Sequence, residues 1–216
     1  MRAPQMRGAA TVLAGAAASM EVCGGDRGSR AGEHRALQIR FPRAANAGRA
    51  PIMLVRLTKV FFALAIGLFA LLVAADNVID YGTNYAFVQH VFSMDTIFPD
   101  STLTWRAIRD PALWRLGYWL IILGEALTAL LFLVGAMRLL SAMRAPAERF
   151  EAAKAWVVAG AGIGFAVWFV GFMLVGGEWF QMWQSSQWNG QQSAFRFYVT
   201  ILLVLVFINQ PDRELR

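Results

Sequence analysis

Four apolar stretches, each close to the length that a lipid bilayer requires, dominate the sequence after residue 52. A helix needs about 20 consecutive apolar residues to cross the hydrocarbon core. We place the spans at about 57–75, 117–140, 155–177 and 194–208. The second is preceded by Asp110-Pro111, a helix-capping residue followed by proline, which predicts where its helix starts. Because a backbone in lipid must satisfy its own hydrogen bonds, these segments are predicted to be helices. The predicted fold class is all-α: an integral membrane four-helix bundle with a helical periplasmic loop between spans one and two.

The composition excludes an ordinary soluble domain. Hydrophobic residues make up 57% of the chain and charged residues only 16%, whereas soluble domains average about 25% charged residues. The chain therefore has too few charges to cover its apolar surface in water. Cys23 is the only cysteine, which excludes a scaffold held together by disulfides.

The first 52 residues differ in composition from the rest of the chain. They hold 8 arginines, no lysine and 3 acidic residues, so they supply +5 of the formal charge of +6. The basic character is thus concentrated outside the apolar core, and no nucleic-acid partner is predicted. The segment is rich in Ala, Gly and Arg and has no strong apolar run. We predict that residues 1–52 form a disordered extension, because they cannot bury enough surface to become ordered.

Several origins of this extension remain open. A secretory signal would need a stronger apolar region, and the acidic residues Glu21, Asp26 and Glu33 disfavour an organellar transit peptide. A disordered cytoplasmic tail is a further alternative. We favour a translation start at Met53, because Arg56, Lys59 and an apolar run follow it as in many membrane-protein starts. The membrane domain is then 53–216.

The basic residues of the loops predict the orientation. Eight lie on one side and four on the other, and the richer side is expected to be cytoplasmic. The first group is Arg56, Lys59, Arg138, Arg144, Arg149, Lys154, Arg213 and Arg216; the second is Arg106, Arg109, Arg115 and Arg196. We predict a multi-pass protein of the bacterial inner membrane with both termini in the cytoplasm. Six tryptophans then mark the outer boundary, namely Trp105, Trp114, Trp119, Trp179, Trp183 and Trp188.

Small residues recur at helical spacing in the second and third spans. In the third span they are Gly160, Gly164 and Gly171; in the second they are Gly124 and Gly135, in line with Gly117 and Thr128. Such stripes let two membrane helices approach closely, so a contact between the second and third spans is predicted. The alternative is that glycine is simply frequent in membrane helices.

The loop after the first span carries the most distinctive pattern of the chain. It begins with an Asn and an Asp-Tyr pair at the end of the span and continues with a second Asn, Phe-Val, His-Val and Met-Asp. The positions are Asn77, Asp80-Tyr81, Asn84, Phe87-Val88, His90-Val91, Met94-Asp95, then Trp105-Arg106-Ala107-Ile108 and Glu125. Over about Met53 to Asn209 this pattern resembles the bacterial family of predicted small integral membrane proteins catalogued as domain of unknown function 2165. The resemblance implies a four-span membrane protein and brings no established activity.

Residues 84–94 of this loop predict an amphipathic helix that lies on the bilayer or covers the bundle. His90 lies within it, and Asp76, Asp80 and Asp95 are near in sequence. An imidazole with carboxylates can hold a divalent cation. The spacing matches no known ligand pattern, however, and Asp and Asn also cap helices and form turns. We predict no metal and no cofactor; a role of His90 as a pH sensor stays open.

Glu125 is the strongest anomaly, because it lies inside the second span, about 12 Å below the outer boundary. An acid at that depth usually faces the bundle and finds a partner. Three partners are considered: Arg196, Thr128, or a proton held on the carboxyl group. The functional interpretation is a proton or cation relay, or a polar ligand pocket. The structural interpretation is a hydrogen bond between helices that fixes the assembly.

Arg106 and the neighbouring arginines alternate with tryptophans and could contact lipid phosphates or serve as interface anchors. The sequence contains no catalytic triad order, phosphate-binding loop, zinc-protease motif or cysteine pair, so enzymatic activity is not predicted. We expect a non-enzymatic partner-binding or accessory membrane protein; the alternative is a small transporter or channel subunit that uses Glu125. The expected partners are the lipid bilayer and either another membrane protein or a second copy of this chain.

Overall fold

The computed structural model describes residues 52–213. The predicted disordered extension lies outside the described residues except for Ile52, as do residues 214–216, whereas Met53, the favoured translation start, lies among them. The described part is helical throughout its regular structure and contains no strand. Four of its helices are long and apolar enough to cross a membrane: Ile52–Ile79, Pro111–Ser141, Ala147–Trp179 and Gln191–Ile208. The predicted all-helical, four-span fold class is confirmed.

Each of the four membrane-spanning helices extends beyond the apolar stretch that predicted it. The helices are α1 (Ile52–Ile79), α2 (Tyr81–Ser93), α3 (Pro111–Ser141), α4 (Ala147–Ala153), α5 (Ala155–Phe165) and α6 (Gln191–Ile208). Helical hydrogen bonding continues through the polar residues at the span ends, whereas hydropathy falls at the first of them. The predicted start signal of the second span is present: Asp110 Oδ1 accepts a hydrogen bond of 2.8 Å from the Ala112 amide, with Pro111 as the first helical residue.

The third span changes its helical form halfway along. After α5 it continues as a π-helix over Ala166–Trp179, and the Phe180 amide donates to the Val175 carbonyl at 3.0 Å, five residues back. π-Helices are usually single turns and are frequent at functional sites. A Cβ on Gly176 would lie 3.4 Å from the Gly171 carbonyl oxygen. The sequence had predicted only an ordinary glycine-rich helix here.

The helices pack around a core of small and aromatic residues. The most extensive contact between two helices is that of α1 with α3. α3 also packs against α5, and α6 packs against the π-helix. The buried residues between them include Ala63, Ala70, Ala129, Phe132, Val157, Trp168 and Ile201. Gly67 permits the close approach of α1 and α3, since a Cβ there would lie 2.9 Å from the Leu133 side chain. This contact was not among the predicted glycine contacts.

One end of the bundle is covered by residues 80–110 and 180–190, which we call the cap. Its apolar centre contains Val91, Met94, Phe180 and Met182. Two hydrogen bonds join the two segments: Thr96 Oγ1 donates to Ser185 Oγ at 2.9 Å, and the Phe98 amide donates to Gln184 Oε1 at 3.0 Å. The two segments of the cap are therefore packed together and hydrogen-bonded to each other.

Candidate functional site

Glu125 lies on the face of α3 that packs against α1, and its residue is only 2% exposed. Its Oε2 accepts a hydrogen bond of 2.7 Å from Asn77 Nδ2 in the last turn of α1. Tyr118 Oη donates at 2.7 Å to the Asn77 backbone carbonyl. Asn77 thus links Tyr118 and Glu125 between the first two spans. The Glu125 carboxyl group is therefore bonded to a neutral amide, and within residues 52–213 it forms no ion pair.

Neither side chain that was predicted as a partner of Glu125 is bonded to its carboxyl group in the structure. Arg196 lies in the second turn of α6, is exposed, and is not bonded to the carboxyl group, so the suggested Arg196 partnership is wrong. Thr128 Oγ1 donates to the Gly124 carbonyl at 2.8 Å and is satisfied within α3. Sequence reasoning missed Asn77 because it placed that residue in the loop. The available signal was the polar block directly after the first span, which α1 carries on as helix.

The surroundings of Glu125 differ between the side that faces the cap and the side that faces the opposite end of the bundle. Towards the cap, Tyr81 packs on Tyr118 at 4.8 Å between ring centroids and on Tyr85 at 5.7 Å. In the other direction, the buried residues of α3 beyond Thr128 are all apolar or glycine, namely Ala129, Phe132, Gly135, Ala136 and Leu139. Within the described residues, an apolar layer therefore separates Glu125 from the far end of the bundle.

The predicted acid and histidine group is brought together only in part. His90 Nδ1 lies 2.8 Å from Asp95 Oδ2, and the imidazole stacks on Trp188 with 4.5 Å between centroids. Asp76 and Asp80 are exposed, and Asn84 Nδ2 donates to the Asp80 carbonyl at 3.4 Å. Residues 52–213 contain no group of three His, Cys, Asp or Glu side chains placed to hold a metal ion.

Arg106 joins the first segment of the cap, residues 80–110, to the end of the third span. Its Nη1 donates to the Trp179 carbonyl at 3.3 Å and to the Glu178 carbonyl at 3.5 Å. Its guanidinium carbon lies 4.7 Å from the centre of the Trp179 ring and 5.4 Å from that of Trp105. Arg106 therefore has a local cation–π role, with its charge held between two indoles.

Four of the five predicted packing glycines lie against another helix. A Cβ on Gly135 would lie 2.6 Å from Val157, one on Gly160 2.8 Å from Phe132, and one on Gly164 2.9 Å from Ile201; Gly124 faces Val167. Gly171 differs, because its nearest atom would be the Ala166 carbonyl of its own helix at 3.8 Å. Its place in the π-helix and at a cavity of about 30 Å³ beside Phe172 distinguishes it from the others.

A second polar centre lies at the opposite end of the bundle and was not predicted as a site. It consists of three cations, Arg56, Lys59 and Lys154, which we call the basic cluster. Arg56 and Lys59 are 0% exposed and Lys154 is 3% exposed. We had assigned these residues only to the positive side of the membrane. Lys59 inside a predicted span was the available signal, because a cation at that depth requires a partner.

Asp212 is the anion at the centre of the basic cluster. Its Oδ2 lies 2.7 Å from both Lys59 Nζ and Lys154 Nζ, and its side chain is 1% exposed. Burial raises the pKa of the Asp212 carboxyl group, but the hydrogen bonds from Lys154 and Lys59 outweigh burial and hold the pKa below its usual range. Asp212 is therefore charged at neutral pH.

The comparisons with known proteins agree with this architecture. The profile of a family described as predicted small integral membrane protein, domain of unknown function 2165, matches residues 55–211. The chain belongs to this family. Neither the curated proteins nor the solved structures gave a match. The family match covers Asn77, Glu125, the cap and the three cations of the basic cluster, whereas Asp212 lies one residue beyond its end. The resemblance seen in the sequence is confirmed, and the protein is a small integral membrane protein.

Proposed function

We propose that this member of the family is a non-enzymatic accessory protein that binds another membrane protein through its cap. The observation that carries the proposal is the apolar layer of α3 between Glu125 and the basic cluster. Along α3, the described residues offer no polar route for a solute across the bilayer. The charged and amide side chains lie mainly towards the two ends, and the cap exposes tryptophans there.

The surface of the cap supports a role in binding. Trp105 is 69% exposed and Trp183 47%, although the backbone that carries them is fixed by the hydrogen bonds of the cap. Rigid, exposed tryptophans are enriched among the residues that dominate binding energy in protein interfaces. The cap also contains a hollow of about 410 Å³, whose lining combines polar residues such as Asp95 and Arg109 with apolar ones such as Met94 and Trp114. Such a surface fits a partner with a protruding polar side chain.

Purification of the full-length protein from native membranes tests this proposal. We expect one membrane protein to co-purify in fixed ratio with the wild type. Combined Trp105→Ala and Trp183→Ala should lower its yield about tenfold, which corresponds to about 1.4 kcal/mol of binding energy. Trp156→Ala is the matched control, because Trp156 is an exposed tryptophan of α5 away from the cap. No partner, or equal yield from the double variant, contradicts the proposal.

We further propose that the protein lies in a bacterial inner membrane with the basic cluster on the cytoplasmic side and the cap outside. The eight-to-four distribution of basic residues supports this orientation. In a variant without Cys23, single cysteines at Thr102 of the cap and Glu148 of α4 report the topology. An impermeant maleimide should label position 102 in spheroplasts and position 148 only after lysis. The reverse pattern contradicts the orientation.

The second candidate function is a transporter or channel subunit that uses Glu125. The observation in its favour is a buried carboxyl group bonded to an amide rather than to a cation, which leaves it free to exchange a proton. Such a path requires more than the single described bundle. Proteoliposomes decide between the candidates: pH-dependent flux that Glu125→Gln abolishes supports the transporter, and absence of flux at every pH supports the accessory protein.

A further inference from the structure

Among the described residues, the basic cluster contains more positive charge than the carboxylates in contact with it neutralise. Besides Asp212, the carboxylate that contacts it is Glu151, whose Oε1 lies 2.8 Å from Lys154 Nζ. Within residues 52–213, three cations therefore face two carboxylates. The other acceptors are backbone carbonyls: Gln210 accepts from Lys59 at 2.5 Å and from Lys154 at 2.8 Å. Buried excess charge is costly unless a further anion offsets it.

Arg56 has an unused donor at the centre of this cluster. Its Nη1 donates to the carbonyls of Met143 and Ala145 at 3.0 and 2.7 Å. Its Nε is buried and has no hydrogen-bond partner. The nearest anionic atom is Asp212 Oδ1 at 3.8 Å, beyond hydrogen-bond distance. The Asp212 carboxylate thus bonds to Lys59 and Lys154 but does not reach Arg56 Nε.

Asp212 is carried by a short non-helical segment that follows the fourth span. α6 ends at Ile208, and residues 209–213 are not part of a helix. The Asp212 amide donates to Glu151 Oε1 at 2.6 Å, which fixes the segment over the cluster. The three cations, in contrast, belong to α1 and to the junction of α4 and α5. The three cations are therefore carried by helices and their junction, whereas Asp212 is carried by the non-helical residues 209–213.

We propose that Arg56, Lys59 and Lys154 form a binding site for a phosphate-bearing anion, in which Asp212 occupies the ligand position in the described conformation. A phosphate group presents more oxygens than a carboxylate, so it can reach Arg56 Nε while keeping both ammonium groups. Arginine and lysine are the usual binders of phosphate. Basic pockets between membrane helices bind lipid headgroups in this way. The ligand is an anionic phospholipid headgroup or free phosphate.

Thermal unfolding of the full-length protein in a neutral detergent tests the proposal. The ligands are phosphatidylglycerol, a diacylglycerol with the same chains as control, and inorganic phosphate against chloride at equal ionic strength. Asp212→Asn removes the competing carboxylate, so it should bind the phosphate-bearing ligand about tenfold more tightly than the wild type, or about 1.4 kcal/mol. Adding Arg56→Gln should abolish this gain, whereas adding Arg196→Gln, an exposed arginine of α6, should leave it intact.

The outcomes separate the two sources of phosphate. Stabilisation by both ligands identifies free phosphate as sufficient, and stabilisation by phosphatidylglycerol alone identifies the lipid headgroup. No stabilisation by either, or an equal response after Arg56→Gln, overturns the proposal. If Asp212→Asn does not fold, hydrogen exchange on the wild type replaces it: the ligand should speed exchange of the Asp212 amide, and unchanged exchange at saturating phosphatidylglycerol overturns the site.

Discussion

Asn77 Nδ2 donates a hydrogen bond of 2.7 Å to Glu125 Oε2, across the contact between the first two spans. This bond gives the buried carboxyl group its side-chain partner and fixes α1 against α3 at the level of Tyr118. It also explains how an acid is accommodated inside a span without a cation.

Asn77→Leu should lower the free energy of unfolding by about 1–3 kcal/mol, because it leaves a buried carboxyl group without its partner. The double variant Asn77→Leu, Glu125→Leu should be more stable than the single variant, since both polar groups are then absent. Denaturation in mixed micelles measures both. Asp76→Ala, at the exposed neighbouring position, is the control and should have little effect. Simple additivity of the two single changes would refute a direct bond.

Gly164→Leu should destabilise the bundle by about 1–3 kcal/mol through overpacking. A Cβ there already meets Ile201 at 2.9 Å and Thr128 at 3.1 Å, whereas one at Gly162 meets nothing within 4 Å. Gly162→Leu is therefore the matched control on the same helix. The thermal midpoint in detergent measures the difference. Equal midpoints for the two variants would show that Gly164 is not a close contact.

Stability should fall in acid through Asp212. Because its folded-state pKa is below the unfolded value of about 3.9, its stabilising contribution is fully present above that value. The contribution is lost as the pH falls through the lower, folded-state pKa. Thermal midpoints between pH 3 and 7 should therefore drop at the acid end for the wild type. Asp212→Asn should lower the midpoint at neutral pH and show a smaller acid drop; an identical acid profile would contradict this assignment.

Arg106→Ala should loosen the cap, because it removes a cation placed between two indoles and two hydrogen bonds to the third span. We expect a loss of about 1 kcal/mol from the cation–π contacts and faster hydrogen exchange in residues 103–108. Arg109→Ala, an exposed arginine of the same segment, is the control. Unaltered exchange in Arg106→Ala would show that Arg106 does not hold the cap.

The four spans could be predicted because hydropathy depends on composition alone. The π-helix could not, since a glycine-rich span is equally typical of close packing between ordinary helices. Asp110-Pro111 shows the opposite case: the cap residue and the proline act locally, so they marked the start of α3 correctly.

The candidate sites were predicted less completely. Glu125 was recognised because a charge inside an apolar run is visible without any structure. Its partner Asn77 was not, because the pairing depends on how far α1 continues past the predicted span. The basic cluster was missed for a related reason: Lys59 and Asp212 are 153 residues apart, and their contact arises only when α1 and the tail after α6 meet.

The ion pair between Lys59 and Asp212 also has a consequence for assembly. Lys59 belongs to the first span and Asp212 follows the fourth, so the two charges cannot meet until all four spans have been synthesised. Until then the lysine of the first span lacks this carboxylate, and a chain that stops before residue 212 would lack it permanently.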